Sequence, residues 1–271
     1  MTTYPGGFVP RRHVAIVMPA YNEADGLEEF LTEIVAHVAP VTEKLSIVVV
    51  NDRSTDETAD VLDRLGRTMP ELVGITSVRN QGHGPTALAA YRAGLELEPD
   101  VLVHVDGDGQ FLGKDFPRVI RAHEELRADV LHGVRRGRTD PWYRKAITAM
   151  VGAIVGAVVG SRVPDVNTPL RVYRPAALRF LLALVPADSK VPHVHFSLAE
   201  KRSGMRVAYA RVRSMPRRGD SEHGTMWGKQ SGVPVLPPKR LRAFIMAAAR
   251  EVWSVSLRPG APARRVGTFS S

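Results

Sequence analysis

Hydrophobic residues in the first half of the chain come in two alternating rhythms. His13–Met18, Leu45–Val50 and Val101–Val105 are short continuous apolar runs rich in β-branched residues. They predict strands buried on both faces. Gly74–Val78 is a weaker run of the same kind. Between these runs, Leu27, Phe30, Leu31, Ile34, Val35 and Val38 recur at helical spacing and predict an amphipathic helix. Val61, Leu62 and Leu65 predict a second helix, capped by Ser54 or Thr55. Pro85–Leu95 and Phe116–Leu126 predict two more. Strand and helix in alternation predict an α/β fold, a parallel sheet covered by helices, with its ligand beyond the carboxyl ends of the strands.

The second half is less regular. Residues 141–160 predict a helix with Gly152, Gly156 and Gly160 spaced by four, which bares one face for close packing. Pro175 opens a helix through Leu178, Leu181 and Leu182, and Arg206–Arg213 alternates as a strand. Pro216–Pro238 is rich in Gly, Ser and Pro and predicts a mobile loop. Lys239–Trp253 predicts a basic amphipathic helix with Leu241, Phe244, Ile245, Ala248 and Val252 as its apolar stripe. The expected organisation is an N-terminal arm (1–12), one domain (13–235), a basic helix (236–256) and a disordered tail (257–271).

Composition narrows the function. The 271 residues hold no cysteine, which excludes a disulfide scaffold, a zinc–thiolate site and cysteine catalysis. The net charge of +9 is uneven: residues 201–271 carry 15 Lys and Arg against 3 acidic residues, and the rest is slightly acidic. Such a basic end suits an anionic membrane, an anionic substrate or nucleic acid, or is a solubilising surface. No run of aromatics interleaves the basic segment and no RNA-recognition motif is present, so no nucleic acid is expected. The longest apolar run, Ala146–Gly160, falls short of the roughly 20 residues that span a bilayer. No signal peptide is visible in residues 1–12, so the expected location is cytoplasmic, with peripheral contact on the inner face of the membrane.

The predicted strand ends are all polar. Pro19-Ala-Tyr21-Asn22-Glu23 follows the first, Asn51-Asp52-Arg53-Ser54 the second, Arg79-Asn-Gln-Gly82-His83-Gly84 the third, and Asp106-Gly-Asp108-Gly-Gln110 the fourth. Two carboxylates one residue apart at a strand end suit a hard divalent cation, Mg²⁺ or Mn²⁺, that also takes phosphate oxygens. A plain Asp-Gly turn is the other reading. A calcium loop does not fit, because Pro117 stands at the twelfth position, where a bidentate Glu is needed.

Taken together, Val17–Glu23, Val49–Asp56 and Asp106–Gln110 resemble, in order and spacing, the signatures of family 2 glycosyltransferases with the GT-A fold, a Rossmann-like, mostly parallel sheet with helices on both faces. Gln110 and the run Asn80–Leu88 resemble most the dolichol-phosphate mannose synthase-like branch. The resemblance implies an inverting transfer from a nucleotide-diphosphate sugar, GDP- or UDP-linked. It implies that Pro19, Tyr21 and Glu23 meet the base and ribose, that Asp52 reads the base, and that Gly82 lies in the donor site. Asp106, Asp108 and Gln110 then match the metal and diphosphate ligands. Arg135 or Arg136, and Arg144, match the cations placed for the phosphates, and Asp165–Tyr173 the segment shaping the sugar and acceptor site. Arg217 and Arg218 match a late loop that closes over the diphosphate.

The late loop departs from the branch: Gly219-Asp-Ser-Glu222-His223 lacks the expected Lys, unless His223 or Lys229 replaces it. Pro192-His193-Val-His195 also stands where the branch tends to have an acidic residue. The pair reads as polar packing, a metal pair or an acceptor base, with His195 the stronger functional candidate. The acceptor is expected to be a polyprenyl phosphate, which needs no strong base, or a soluble hydroxyl compound, which does. Asp165, His195 and Glu200 are the candidates for that base. A non-catalytic membrane- or nucleic-acid-binding protein is a third reading, opposed by the complete Asp106, Asp108 and Gln110 set.

Overall fold

The computed structural model describes residues 11–136, 164–219, 239–264 and 267–269, with isolated positions between 152 and 160. The expected helix over 141–160, Arg144 and most of the loop 216–238 lie outside the described residues.

The first half runs β1 (Arg11–Ala20), α1 (Ala24–Val38), β2 (Thr42–Asn51), α2 (Thr58–Leu65), β3 (Leu72–Thr76), α3 (His83–Glu96), β4 (Val101–His104), α4 (Asp115–Glu125) and β5 (Val130–Arg136). After the undescribed stretch come β6 (Arg171–Tyr173), α5 (Pro175–Ala183), α6 (Pro192–Arg202), β7 (Val207–Arg213) and α7 (Lys239–Val252). They build one seven-stranded sheet in the order β3-β2-β1-β4-β6-β5-β7. β1 pairs in parallel with both β2 and β4, and β6 runs antiparallel to its two neighbours. The strand order reverses at β1, so a crevice opens beyond the ends of β1, β2 and β4.

The continuous apolar strands are explained by burial on both faces. Ile16 and Met18 face a core with Leu27, Phe30, Leu31 and Ile34 of α1, Leu62 and Leu65 of α2, and Phe116, Val119 and Ile120 of α4. Ala15 and Val17 face the other core, with Leu88, Tyr91 and Leu95 of α3, Leu178 and Leu181 of α5, and Phe196 of α6. Each fully buried large side chain contributes about 1.5–3 kcal/mol. Gly94 brings α3 close to the sheet; a Cβ there would meet Val17 Cγ1 at 2.3 Å.

Several expectations are corrected. The third strand starts two residues early, at Leu72, and leaves Val78 outside it, 95% exposed. The N-cap of α2 is Glu57, which makes no side-chain cap bond, and the Asp56 carboxylate before it accepts from the Thr58 amide at 3.0 Å. Ser54 and Thr55 bond Asn22 instead. The segment expected as a disordered tail is packed where it is described. Ala261 and Ala263 are fully buried, the Phe269 amide donates to Ser203 O at 2.9 Å, and its ring lies 5.5 Å from Phe180. Small apolar residues on an irregular backbone give no periodic signal, so this packing was not legible in the sequence.

Candidate active site

The acidic loop grows directly out of β4. The Val105 amide donates to Val17 O and the Gly107 amide to Pro19 O, both at 3.1 Å, so the pairing with β1 continues past the strand end. Pro19 therefore acts through its backbone and its buried ring. At Gly107 the approach to β1 is close, since a Cβ would lie 3.0 Å from Pro19 O. Gly109 turns the loop with φ +66°. Asp106 and Asp108 are thereby held on one rim beside Glu23. Burial, then the Asp106 charge, push the Asp108 carboxyl up to about 6. Asp106 Oδ1 is buried without a hydrogen-bond partner, and His83 Nε2 lies 3.6 Å from it. His83, on the first turn of α3, is a rim residue the sequence reading did not single out.

Asp52, almost fully buried, fastens the third polar segment. Its Oδ1 accepts from the Gln81 amide at 2.7 Å and its Oδ2 from the Gly82 amide at 2.8 Å. Asn80 Nδ2 donates to Asp52 O at 3.0 Å. Gly82 has φ +88°, a conformation that favours glycine. A second knot ties β1 to β2. The Asn22 amide donates to Ser54 Oγ at 2.9 Å, and the Thr55 amide to Asn22 Oδ1 at 2.8 Å. Asn22 was missed as a positioning residue; its φ of 54°, which Asn tolerates, is the local cause of the turn. Tyr21 is half-buried on this turn.

The late segment lies across the acidic loop. The Met215 amide donates to Gln110 O at 2.9 Å and the Arg218 amide to Asp108 O at 3.1 Å. Two adjacent arginines take different sides. Arg217 pairs with Glu23 Oε2 at 2.5 Å and donates to Asn22 O at 3.2 Å. Burial pushes the Glu23 carboxyl up to about 8, against the pull of Arg217. Arg218 turns over the Phe30 ring, pairs with Glu29 at 2.8 Å and with Glu33, and donates to Gly109 O at 3.2 Å. Arg217 thus faces Glu23 and the Asn22 turn, whereas Arg218 fastens the segment to α1.

The remaining candidates are occupied elsewhere. Arg135 Nε and Nη2 donate to the two oxygens of buried Asp165 at 2.8 and 3.1 Å. Arg136 is exposed, and its carbonyl accepts from the Ser214 amide at 2.9 Å. Glu200 lies in the interior, 3.0 Å from His132 Nε2 and 3.5 Å from Arg171 Nη1. The two histidines of α6 serve separate contacts. His193 Nε2 is 2.9 Å from Tyr91 OH, while His195 lies 2.7 Å from Ser256 Oγ and 3.0 Å from Glu251. Both are buried against polar partners. No group of three or more His, Asp or Glu able to hold a metal occurs among the described residues. The Asp106–Asp108 pair, with one unpartnered hard oxygen, nevertheless fits a divalent ion that completes its shell with diphosphate oxygens.

Comparison with known proteins shows the family and the fold. The family model described as Glycosyl transferase family 2 matches residues 15–182, more than half of the chain. The chain belongs to glycosyl transferase family 2. Within it, the undecaprenyl-phosphate 4-deoxy-4-formamido-L-arabinose transferase of Edwardsiella ictaluri is 26% identical over 214 residues, 79% of this chain and 63% of the relative. The protein of the same description from Pseudomonas fluorescens is 28% identical over 80% of this chain and 62% of its own. The chain thus spans slightly under two thirds of these relatives. Among solved structures, glucosyl-3-phosphoglycerate synthase from Mycobacterium tuberculosis, in complex with phosphoglyceric acid, superposes with TM-score 0.61 at 14% identity, over 90% of this chain and 79% of that one. A Pyrobaculum calidifontis mannosyltransferase in complex with GDP-Man and Mn²⁺ gives 0.53 at 19% identity, over 79% and 59%. These likenesses establish the GT-A fold of this family 2 chain.

Proposed function

We propose that this family 2 chain is an inverting glycosyltransferase that moves a sugar from a nucleotide-diphosphate sugar to a polyprenyl phosphate at a membrane surface. The observation that carries the choice of acceptor is the occupation of every candidate base. Asp165 is clamped by Arg135, Glu200 lies buried beside His132 and Arg171, and His195 is bound to Glu251 and Ser256. A hydroxyl acceptor needs a base within hydrogen-bond reach; a phosphate arrives already anionic and does not. The relatives named as undecaprenyl-phosphate transferases support the same reading.

In this reading Asp106, Asp108 and Gln110 hold Mg²⁺ or Mn²⁺, which when bound neutralises charge on the departing diphosphate. Arg217 exchanges Glu23 for a phosphate oxygen as charge develops there, and its fork suits that contact. The backbone cradle held by Asp52 and Asn22 receives the base and ribose. Arg136 and Arg213, register partners on β5 and β7, are both exposed and offer the acceptor phosphate a cationic approach.

The test supplies UDP- and GDP-sugars with either polyprenyl phosphate or the matching polyprenol. Transfer to the phosphate alone is expected. Transfer to the free alcohol at a comparable rate would overturn the acceptor assignment and require a base that is free.

A further inference from the structure

The C-terminal helix has two faces, and its apolar stripe packs on the domain. Phe244, Ile245, Ala248 and Val252 of the predicted stripe are half-buried, and Val252 packs against a core formed by Val155, Val166, Val194 and Leu198. Polar ties reinforce that side. Glu251 accepts from Ser189 Oγ at 2.5 Å and from the Lys190 amide at 3.1 Å, and Arg202 Nη1 donates to Ser256 O at 2.6 Å and Ala263 O at 3.2 Å.

The opposite face carries Met246, 56% exposed, and Trp253, 59% exposed, which opens the π-helical turn Trp253–Leu257 that continues α7. Seven residues apart, they sit on one side of the helix about 10 Å apart. Ala243, Ala249 and Arg250 are exposed around them, and exposed Arg258 follows. Residues 239–271 contain seven Lys and Arg and a single carboxylate, Glu251. That carboxylate is turned inward to His195, so residues 239–271 present apolar anchors and positive charge outward and no acidic side chain of their own.

We infer that the Met246–Trp253 face of α7 is the surface on which the protein lies on a bilayer bearing anionic headgroups. An indole is most favourably placed at the boundary between headgroups and acyl chains, and flanking arginines pair with lipid phosphates. A protein partner is a poorer match. Two isolated side chains cover on the order of 300 Å², against the roughly 800 Å² per side of a stable protein interface. The inference rests on the membrane-acceptor reading above, and it fixes which face approaches the lipid.

The test is co-sedimentation of the full chain with phosphatidylcholine vesicles, with and without phosphatidylglycerol. Binding that requires phosphatidylglycerol is expected. Trp253→Ala with Met246→Ser should abolish it. Arg250→Gln and Arg258→Gln should each weaken it about fivefold. Unchanged melting temperatures show that the helix remains docked. Equal binding by all variants, no binding by any, or self-association lost in Trp253→Ala would each overturn the inference, the last by naming a second copy as the occupant. Transfer to a short-chain, water-soluble polyprenyl phosphate separates the two claims. If transfer fails while vesicle binding holds, the proposed function falls; if vesicle binding fails while transfer holds, only this face does.

Discussion

Replacing Glu200 by Gln separates a buried structural carboxylate from a catalytic base. Burial raises the Glu200 carboxyl, but His132 and Arg171 outweigh it and hold it below its ordinary value, so it stays ionised. Among the described residues Glu200 is the carboxylate paired with Arg171, whose other partners, among them Thr168 O, Val166 O, His193 O, Ser197 Oγ and the Tyr173 hydroxyl, are neutral. Both side chains are essentially inaccessible, at 0% and 1% exposure. Glu200→Gln leaves the shape and removes the charge opposite a fully buried guanidinium. Losing one partner of a buried pair costs about 3–5 kcal/mol, which for a chain of this size lowers Tm by about 6–20 °C. Exchanging both members for apolar residues, Arg171→Met with Glu200→Leu, should recover much of that loss. The assay combines calorimetric and urea unfolding with transferase rates per folded molecule at a temperature where the variant is intact. A loss of stability with the rate per folded molecule retained is expected. A stability change under 1 kcal/mol with a hundredfold loss of rate would refute the reasoning and return Glu200 to the acceptor site.

Glu251 is depressed in the folded state to about 2, as its bonds from His195, Ser189 and the Lys190 amide outweigh the effect of burial. Its stabilisation is therefore full above its ordinary pKa of about 4.5 and is lost as pH falls toward 2. After allowance for solvent screening, it contributes about 1–2 kcal/mol. Glu251→Gln should lower stability at pH 7 and approach the parent at pH 2–3 in paired urea titrations; a gap that persists at low pH contradicts this. Gly84→Ala places a Cβ 2.2 Å from Ser189 O, a backbone atom, and should cost at least 1–3 kcal/mol in urea unfolding; a neutral result would show that the 189–190 segment yields freely. Asp52→Asn keeps one acceptor oxygen for two amides, at Gln81 and Gly82, and should loosen their loop and weaken nucleotide binding about tenfold. Faster hydrogen exchange at Gln81 and Gly82 is the accompanying readout, and unchanged exchange would count against the clamp.

The first half of the fold was legible because burial on both sheet faces demands continuous apolar strands, and α1 and α4 need one apolar stripe each. β5 and β6 were not read. β5 ends in Val-Arg-Arg, and β6 is three residues long with Arg171 at its start, so hydropathy gives no signal. The helical state of Pro192–Arg202 was hidden for a related reason: its polar residues are buried by specific partners, as His193 is against Tyr91 and Glu200 against Arg171. The polar rim at the strand ends was legible because its chemistry is local, a few polar residues at each strand end. The assignment of Arg217 and Arg218 to different partners was not, because it depends on residues almost 200 positions away. The outward face of α7 was not legible, because an apolar stripe fits a bilayer or the domain equally well, and only the contact of Val252 with Val194 and Leu198 of α6 decides which side faces the protein.

The account rests on a donor site at Asp106, Asp108 and Asp52. Its most direct test is calorimetric titration of the protein with GDP and UDP, with and without Mn²⁺, repeated on Asp108→Ala. One nucleotide should bind, only with the metal, and the Asp108→Ala variant should lose that binding. No binding of either nucleotide under any metal condition, or binding that the substitution leaves intact, would contradict it.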